Sequence, residues 1–124
     1  MKSIVFDTSK IGLHAVLRDW QIKAMQAVWN NPEGVNSRMV HQKVNQVLKD
    51  ESISRASAIN FLEDMRNLGV LKGEEKTGKG GHHWVYFPAM GEKGFMKFIV
   101  EKLLASLMES FPAETREVIR NLNK

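Results

Sequence analysis

Residues 54–88, SRASAINFLEDMRNLGVLKGEEKTGKGGHHWVYFP, decide the fold of this chain. The first half spaces its apolar residues three to four apart, begins at a serine that can cap a helix and ends at Gly69. The second half contains two strand-like runs, 70–75 and 84–87, on either side of a tip rich in glycine and lysine. We therefore predict a helix over 54–68 followed directly by a β-hairpin.

Upstream of this stretch, the sequence predicts two further helices. Apolar spacing indicates one helix over 14–29, then a short strand at Val35 and a second helix that is capped by Asn36 or Ser37 and ends near Lys49. Helix, short strand, helix, helix and basic hairpin is the order of a winged helix, a helix-turn-helix variant. In such domains the second helix of the helix-turn-helix, here the predicted helix over 54–68, enters the major groove of DNA.

Downstream, the pattern predicts a helix of about 16 residues following Gly94 and a last short helix from Pro112 to Leu122. The longer helix carries an apolar stripe that one small domain cannot easily cover, so we predict that it forms a homodimer interface. The predicted interface residues are Phe95, Phe98, Ile99, Leu103, Leu107 and Phe111.

The predicted fold is mainly α with a small β-hairpin, a winged helix-turn-helix domain followed by C-terminal dimerisation helices. We divide the chain into an N-terminal arm at 1–13, a winged-helix DNA-binding domain at 14–90 and a helical dimerisation region at 91–124.

Composition narrows the classes of function. The 124 residues include 18 basic and 14 acidic side chains, for a net charge of +4, and no cysteine. Disulfide scaffolds, thiol catalysis and cysteine zinc sites are therefore excluded. No apolar run approaches the roughly 18 residues of a membrane span, and no secretory signal is recognisable, so we expect a cytoplasmic protein. Because no paired carboxylates, nucleophile elbow or histidine base appears, we predict neither enzymatic activity nor a cofactor.

The helix over 54–68 supplies most of the candidate DNA contacts. With Ala58, Leu62 and Met65 buried, the 100° step per residue turns the opposite face outward. Asn60 suits adenine, Arg55 suits guanine or phosphate, and apolar side chains suit the thymine methyl. The predicted DNA-binding residues of this helix are Ser54, Arg55, Ala56, Ser57, Ile59 and Asn60.

The hairpin supplies a second set of candidate contacts. Lys76, Lys79 and His82 lie in a stretch without acids, 76–83, which suits contact with phosphates beside the groove. Glu63 and Asp64 on the preceding helix oppose phosphate contact. We therefore expect these two acids to lie away from the DNA backbone or to pair with Arg66 or a neighbouring helix.

The sequence gives less support to two other kinds of site, a nucleotide-binding loop and a metal site. Residues 73–80 nearly spell a phosphate-binding loop, but Gly80 replaces the Ser or Thr that holds magnesium and a strand follows where a helix is needed. Adjacent His82 and His83 point to opposite faces of a strand and cannot share one metal ion. His14 and His41 are isolated, which leaves a metal sensor assembled across a dimer as an alternative.

Several stretches resemble the penicillinase-repressor family of winged-helix regulators. Residues 17–29, LRDWQIKAMQAVW, are similar to that family's first helix, and 54–62 with 68–71 are similar to its recognition helix. Residues 84–88 match the second strand of the wing, which is the β-hairpin that follows the recognition helix. Residues 112–122 resemble the family's last short helix. The resemblance implies a homodimer held by the C-terminal helices that represses transcription from a palindromic operator.

The chain departs from this family at informative positions. Arg55 and Ala56 replace the proline and lysine that follow the capping serine, so the family's operator sequence does not transfer. The Asn-Phe bond cleaved in β-lactam-linked members is replaced by Gly94-Phe95, and the cysteine motif of copper-sensing members is absent. A second function from another class stays open, in which the third helix and wing contact a protein of a transcription or assembly complex.

Overall fold

The computed structural model describes residues 4–49, 51–78 and 81–124. These residues form a 3₁₀ turn, five α-helices and three strands, which confirms the predicted mainly α fold with a small hairpin. In chain order the elements are the 3₁₀ turn Gly12–Ala15, α1 Asp19–Trp29, β1 Val35–Asn36, α2 Ser37–Val47, α3 Arg55–Asn67, β2 Leu71–Gly78, β3 Gly81–Pro88, α4 Glu92–Ser110 and α5 Pro112–Leu122.

The three strands form one antiparallel sheet in the order β1-β3-β2. Val35 of β1 pairs with Tyr86 of β3, and β2 pairs with β3 from Leu71 opposite Pro88 to Gly78 opposite Gly81. Both hairpin strands extend further toward the tip than the predicted runs. The extension depends on backbone hydrogen bonds between strands, which the side-chain pattern of the tip does not report.

The first predicted helix begins later than its apolar spacing suggests. Gly12 has a φ of +68°, a 3₁₀ turn follows, and Arg18 is extended immediately before α1. Ala15 and Leu17 are nevertheless buried in the same core as α1. Two segments that share a buried surface thus gave the appearance of one helix over 14–29.

The ends of two other helices also differ from prediction. Leu48 is extended, so α2 ends at Val47. Helix α4 has 19 residues because it begins before Gly94 rather than after it. Gly94 lies against Met90, where an added Cβ would come within 3.1 Å of that side chain.

One hydrophobic core joins α1, α2, α3 and the sheet to the first turns of α4. Its fully buried side chains include Met25 of α1, Val44 of α2 and Leu62 of α3. Trp29 packs against Phe95 with ring centroids 5.9 Å apart, and its Nε1 donates a hydrogen bond to the Met90 carbonyl at 3.1 Å. The start of α4 is therefore anchored on the winged helix. Among the described residues, no helix is both long enough and apolar enough to span a membrane.

Candidate nucleic-acid interface

Helix α3 has one face in the core and one face in solvent. Ser54 Oγ accepts a hydrogen bond from the Ser57 N–H at 3.1 Å, which satisfies one of the free donors of the first turn. Its buried side chains, Ala58, Phe61, Leu62 and Met65, all lie on the apolar face that spacing predicts. The packing therefore leaves the opposite side of the first two turns available to a partner.

The predicted DNA-binding residues of α3 occupy that available side. Ser57 is half-buried, and its hydroxyl lies 3.0 Å from Ser54 Oγ, so it also takes part in the cap. Ile59 is 37% exposed although it is apolar. The exposed members of the set are Ser54, Arg55, Ala56, Ile59 and Asn60.

A polar clamp between α2 and the residue before the cap sets where α3 begins. Asn45 Oδ1 accepts from the Ile53 N–H at 2.9 Å, and Asn45 Nδ2 donates to the Ile53 carbonyl at 3.2 Å. The Nε2 atom of His41 lies 3.0 Å from the same carbonyl. Sequence reasoning missed both side chains. His41 and Asn45 are four residues apart and therefore lie on one face of α2, and this spacing was the signal in the sequence that could have indicated a shared polar contact.

A second polar cluster joins α3 to the wing, and it contains the predicted pair of Glu63 and Arg66. Arg66 Nη2 donates to Glu63 Oε1 at 2.8 Å, and the Tyr86 hydroxyl of β3 donates to Glu63 Oε2 at 2.5 Å. The Arg66 guanidinium also lies 4.8 Å from the centre of the Trp84 ring. These contacts hold the wing against the helix.

The electrostatics of this cluster follow from its hydrogen bonds and from the burial of Tyr86. The bond from Arg66 is the largest cause that holds the pKa of Glu63 below its ordinary value. Burial, followed by the hydrogen bond to Glu63, raises the pKa of Tyr86 well above its ordinary value. Glu63 is thus ionised and paired, and both of its carboxylate oxygens accept hydrogen bonds.

The wing is only partly described. Lys76 is exposed, but its Nζ lies 3.0 Å from Glu74 Oε2, so a neighbouring acid partly offsets its charge. Lys79 lies outside the described residues. For His82, the backbone belongs to β3 opposite Thr77, and its side chain lies outside the described part of the structure.

The predicted dimer stripe of α4 divides into two parts. Phe95 and Ile99 are 1% and 7% exposed and belong to the core of the chain itself, which accounts for their apolar character without a partner. Phe98 and Leu103 are half-buried, whereas Leu107 and Phe111 are exposed. Periodicity could not separate these groups because the whole stripe is apolar.

Helices α4 and α5 form a hairpin with an apolar groove between them. Thr115 Oγ1 donates to the Leu107 carbonyl at 3.0 Å and connects the two helices. The groove has a volume of about 290 Å³. Its exposed apolar residues are Leu104, Leu107, Phe111, Val118 and Leu122, of which Leu104, Val118 and Leu122 are not among the interface residues predicted from the sequence.

The described residues contain no cluster suited to metal binding. No group of three or more His, Asp or Glu side chains lies close enough together among them to hold an ion. His14 Nε2 lies 3.2 Å from Asp19 Oδ1, and His41 belongs to the clamp at Ile53.

Comparison with known proteins shows the fold and no more. No family model matches the chain, and no curated protein matches it in sequence. A solved structure described as a "possible transcriptional regulator" from Methanosarcina mazei Go1 is similar, with a TM-score of 0.58 and 14% sequence identity. The similarity covers 82% of this chain and 78% of that one. At that identity the likeness establishes a shared architecture, and the resemblance to penicillinase repressors stays a hypothesis.

Proposed function

We propose that this protein is a cytoplasmic DNA-binding transcriptional regulator, a homodimeric repressor that inserts α3 into the major groove of a palindromic operator. The observation that carries the proposal is the division of α3 into a buried apolar face and an exposed face with Arg55 and Asn60, directly followed by a hairpin. The description of the Methanosarcina protein as a possible transcriptional regulator supports the same class. The proposed role is binding, without catalysis or a cofactor.

In this proposal, the residues of α3 have different tasks. Asn60 has the donor and acceptor pair that reads adenine, and Arg55 reads guanine or holds a phosphate. Ala56 and Ile59 offer apolar surface to a thymine methyl. Ser54 and Ser57, at the N-terminal end of the helix, approach the DNA backbone. The hairpin residues Lys76, Lys79 and His82 are assigned to flanking phosphates.

The proposed dimer interface is the exposed apolar surface of α4 and α5. Phe111 and Val118 are 59% and 58% exposed, and together with Leu107 they line the groove between the helices. Contiguous apolar surface of this kind marks interaction sites, and a two-fold dimer covers it with a copy of itself. The resemblance to penicillinase repressors points to the same helices, with Phe98 and Leu103 at the edge of the interface.

DNA binding is tested by fluorescence anisotropy with a duplex from upstream of the protein's own reading frame and a scrambled duplex, across a salt series. We expect tighter binding to the upstream duplex and a steep loss of affinity with salt, because each contacted phosphate releases counterions. Equal, weak binding to both would contradict autoregulation of this gene. Binding without salt dependence would contradict the DNA interface itself.

The Asn60→Ala variant tests base readout by α3. We expect it to reduce the preference for the upstream duplex by about tenfold or more, the usual effect of losing one bidentate base contact. Asn121→Ala is the matched control, because Asn121 is an equally polar, exposed residue on α5. If both variants keep the full preference, Asn60 does not read a base.

A winged helix that binds another protein is the second candidate function. Two observations favour it: Ile59 is an exposed apolar side chain, and Glu74 offsets the charge of Lys76, which weakens the attraction of this lysine to phosphate. Affinity for DNA would then be weak and independent of sequence.

A further inference from the structure

The part of the N-terminal arm that precedes the 3₁₀ turn, residues 4–11 of the described chain, lines one side of an open cavity on the side of α3 opposite its exposed face. The cavity has a volume of about 540 Å³, which lies within the roughly 300–1,000 Å³ range of small-molecule sites. The arm is tied down by a hydrogen bond of 2.7 Å from the Asp7 N–H to the Ala15 carbonyl. Ile4 and Lys10 line the cavity from the arm.

The lining of this cavity is part apolar and part polar, and its apolar part comes from several elements. Phe61, Met65 and Leu68 contribute from α3 and its C-cap, Leu17 from the segment before α1, and Phe95 from α4. Three separate parts of the fold thus meet at one place. A compact aromatic or aliphatic body would bury its surface against all of them.

The charged residues of the cavity are mainly basic. Lys10, His14 and Arg18 line it, against Asp64 as the one acidic lining residue among those the structure describes. Lys10 and Arg18 are exposed, and neither lies within ion-pair distance of a described carboxylate, although the charge of Lys10 contributes to lowering the pKa of Asp7. His14 contacts Asp19 instead. Two exposed cations beside a partly apolar cavity favour a ligand that carries negative charge at one end.

We propose that this cavity binds an amphipathic organic anion, with an apolar body against Phe61, Met65 and Leu68 and a carboxylate or sulfonate at Lys10 and Arg18. The proposal does not rest on DNA binding. It is measured on the protein alone, so its failure is distinguishable from failure of the proposed function.

Two fluorescent probes separate the apolar and charged contributions. 1-Anilinonaphthalene-8-sulfonate and N-phenyl-1-naphthylamine share one aromatic body and differ in the sulfonate group. We expect the sulfonate probe to bind with a Kd lower by about tenfold, because the cations act on it alone. Equal affinity for the two probes would overturn the proposal.

The double variant Lys10→Gln with Arg18→Gln locates the binding. We expect a five- to tenfold weaker affinity, in round terms, for the sulfonate probe and an unchanged affinity for the neutral one. Lys43→Gln with Arg116→Gln is the control with the same net charge, since both residues are exposed and line none of the cavities described above. An equal loss in both double variants would mean attraction to net charge and would overturn the site.

The apolar groove of α4 and α5 is the competing location for these probes. Val118→Ser reduces the apolar surface of that groove, and Val118 lies outside the cavity beneath the arm. We expect unchanged binding of the sulfonate probe in this variant, whereas a large loss would assign the probe to the groove and overturn the proposal. Circular dichroism of each variant verifies folding, and the single variant Lys10→Gln replaces the double variant if Arg18→Gln disturbs α1.

Discussion

At the level of single residues, Glu63 shows how an acid is accommodated on a helix proposed to face DNA. Its two oxygens accept hydrogen bonds from Arg66 and from the Tyr86 hydroxyl. Arg66 in turn lies over the Trp84 ring. The charge of the acid is compensated within α3, and the same bonds position the wing. The carboxylate therefore acts in the structure of the interface, and the DNA contacts are left to its neighbours.

The state of Glu63 makes folding stability depend on pH in a definable direction. The pKa of Glu63 lies below its ordinary value of 4.5, chiefly because Arg66 donates to it. Its contribution is therefore present above the pKa of the unfolded chain and is lost as pH falls through the folded-state pKa. We expect Glu63→Gln to be less stable than the wild type at pH 7, with the difference shrinking below about pH 4.5.

Urea unfolding across a pH series measures this difference. Glu101→Gln is the matched control, because Glu101 is exposed on α4 and forms no ion pair with a described residue. Parallel stability curves for the wild type and Glu63→Gln would show that the pairing with Arg66 contributes nothing to folding.

At the level of elements, the turn between α2 and α3 is the decisive connection. The Asn45 amide makes two hydrogen bonds to the backbone of Ile53, immediately before the Ser54 cap. This pairing supplies partners for backbone groups that the turn itself leaves unpaired. The Asn45 side chain of α2, together with His41, therefore helps to fix the position of α3 relative to α2.

We expect Asn45→Ala to lower the free energy of unfolding by about 1–2 kcal/mol, because two hydrogen bonds are lost and the half-buried Ile53 N–H loses its acceptor. Gln46→Ala on the same helix is the control, since Gln46 is exposed. Urea denaturation of both variants provides the measurement. Equal stabilities would mean that water replaces the clamp at no cost.

At the level of the whole molecule, α4 has two different roles along its length. Its first turns complete the core through Phe95 and Ile99, and its second half joins α5 in an exposed apolar hairpin. A helix that is anchored at one end and unpartnered at the other suits assembly. Intramolecular packing and the proposed dimerisation thus use different residues of one helix.

The proposed dimer is tested by Leu107→Glu combined with Val118→Glu. Both residues are exposed in this chain, so we expect folding to be retained while charge in the apolar interface separates the subunits. Size-exclusion chromatography with light scattering measures the mass. Lys97→Glu, an exposed change on the anchored part of α4, should leave a dimer. A doubly charged variant that remains dimeric would refute this interface.

Local pattern determined most of the elements in this protein. The Ser54 cap, the Gly69 stop and the Pro112 start of α5 are visible in sequence because each acts on backbone within one helical turn. Likewise, two strand-like runs on either side of a tip rich in glycine and lysine indicated the hairpin. From these elements in order, the winged-helix architecture followed without reference to long-range contacts.

Only the tertiary structure decided which apolar and charged residues have partners. Phe95 and Ile99 are buried by residues that are distant in sequence, and Tyr86 bonds to Glu63 on another element. Val118 is exposed because no described residue of the same chain covers it. Helical periodicity shows that a face is apolar, but it cannot show whether the same chain covers that face. The core, the polar clusters and the cavity beneath the arm arise where separate elements meet, and that meeting depends on packing in three dimensions.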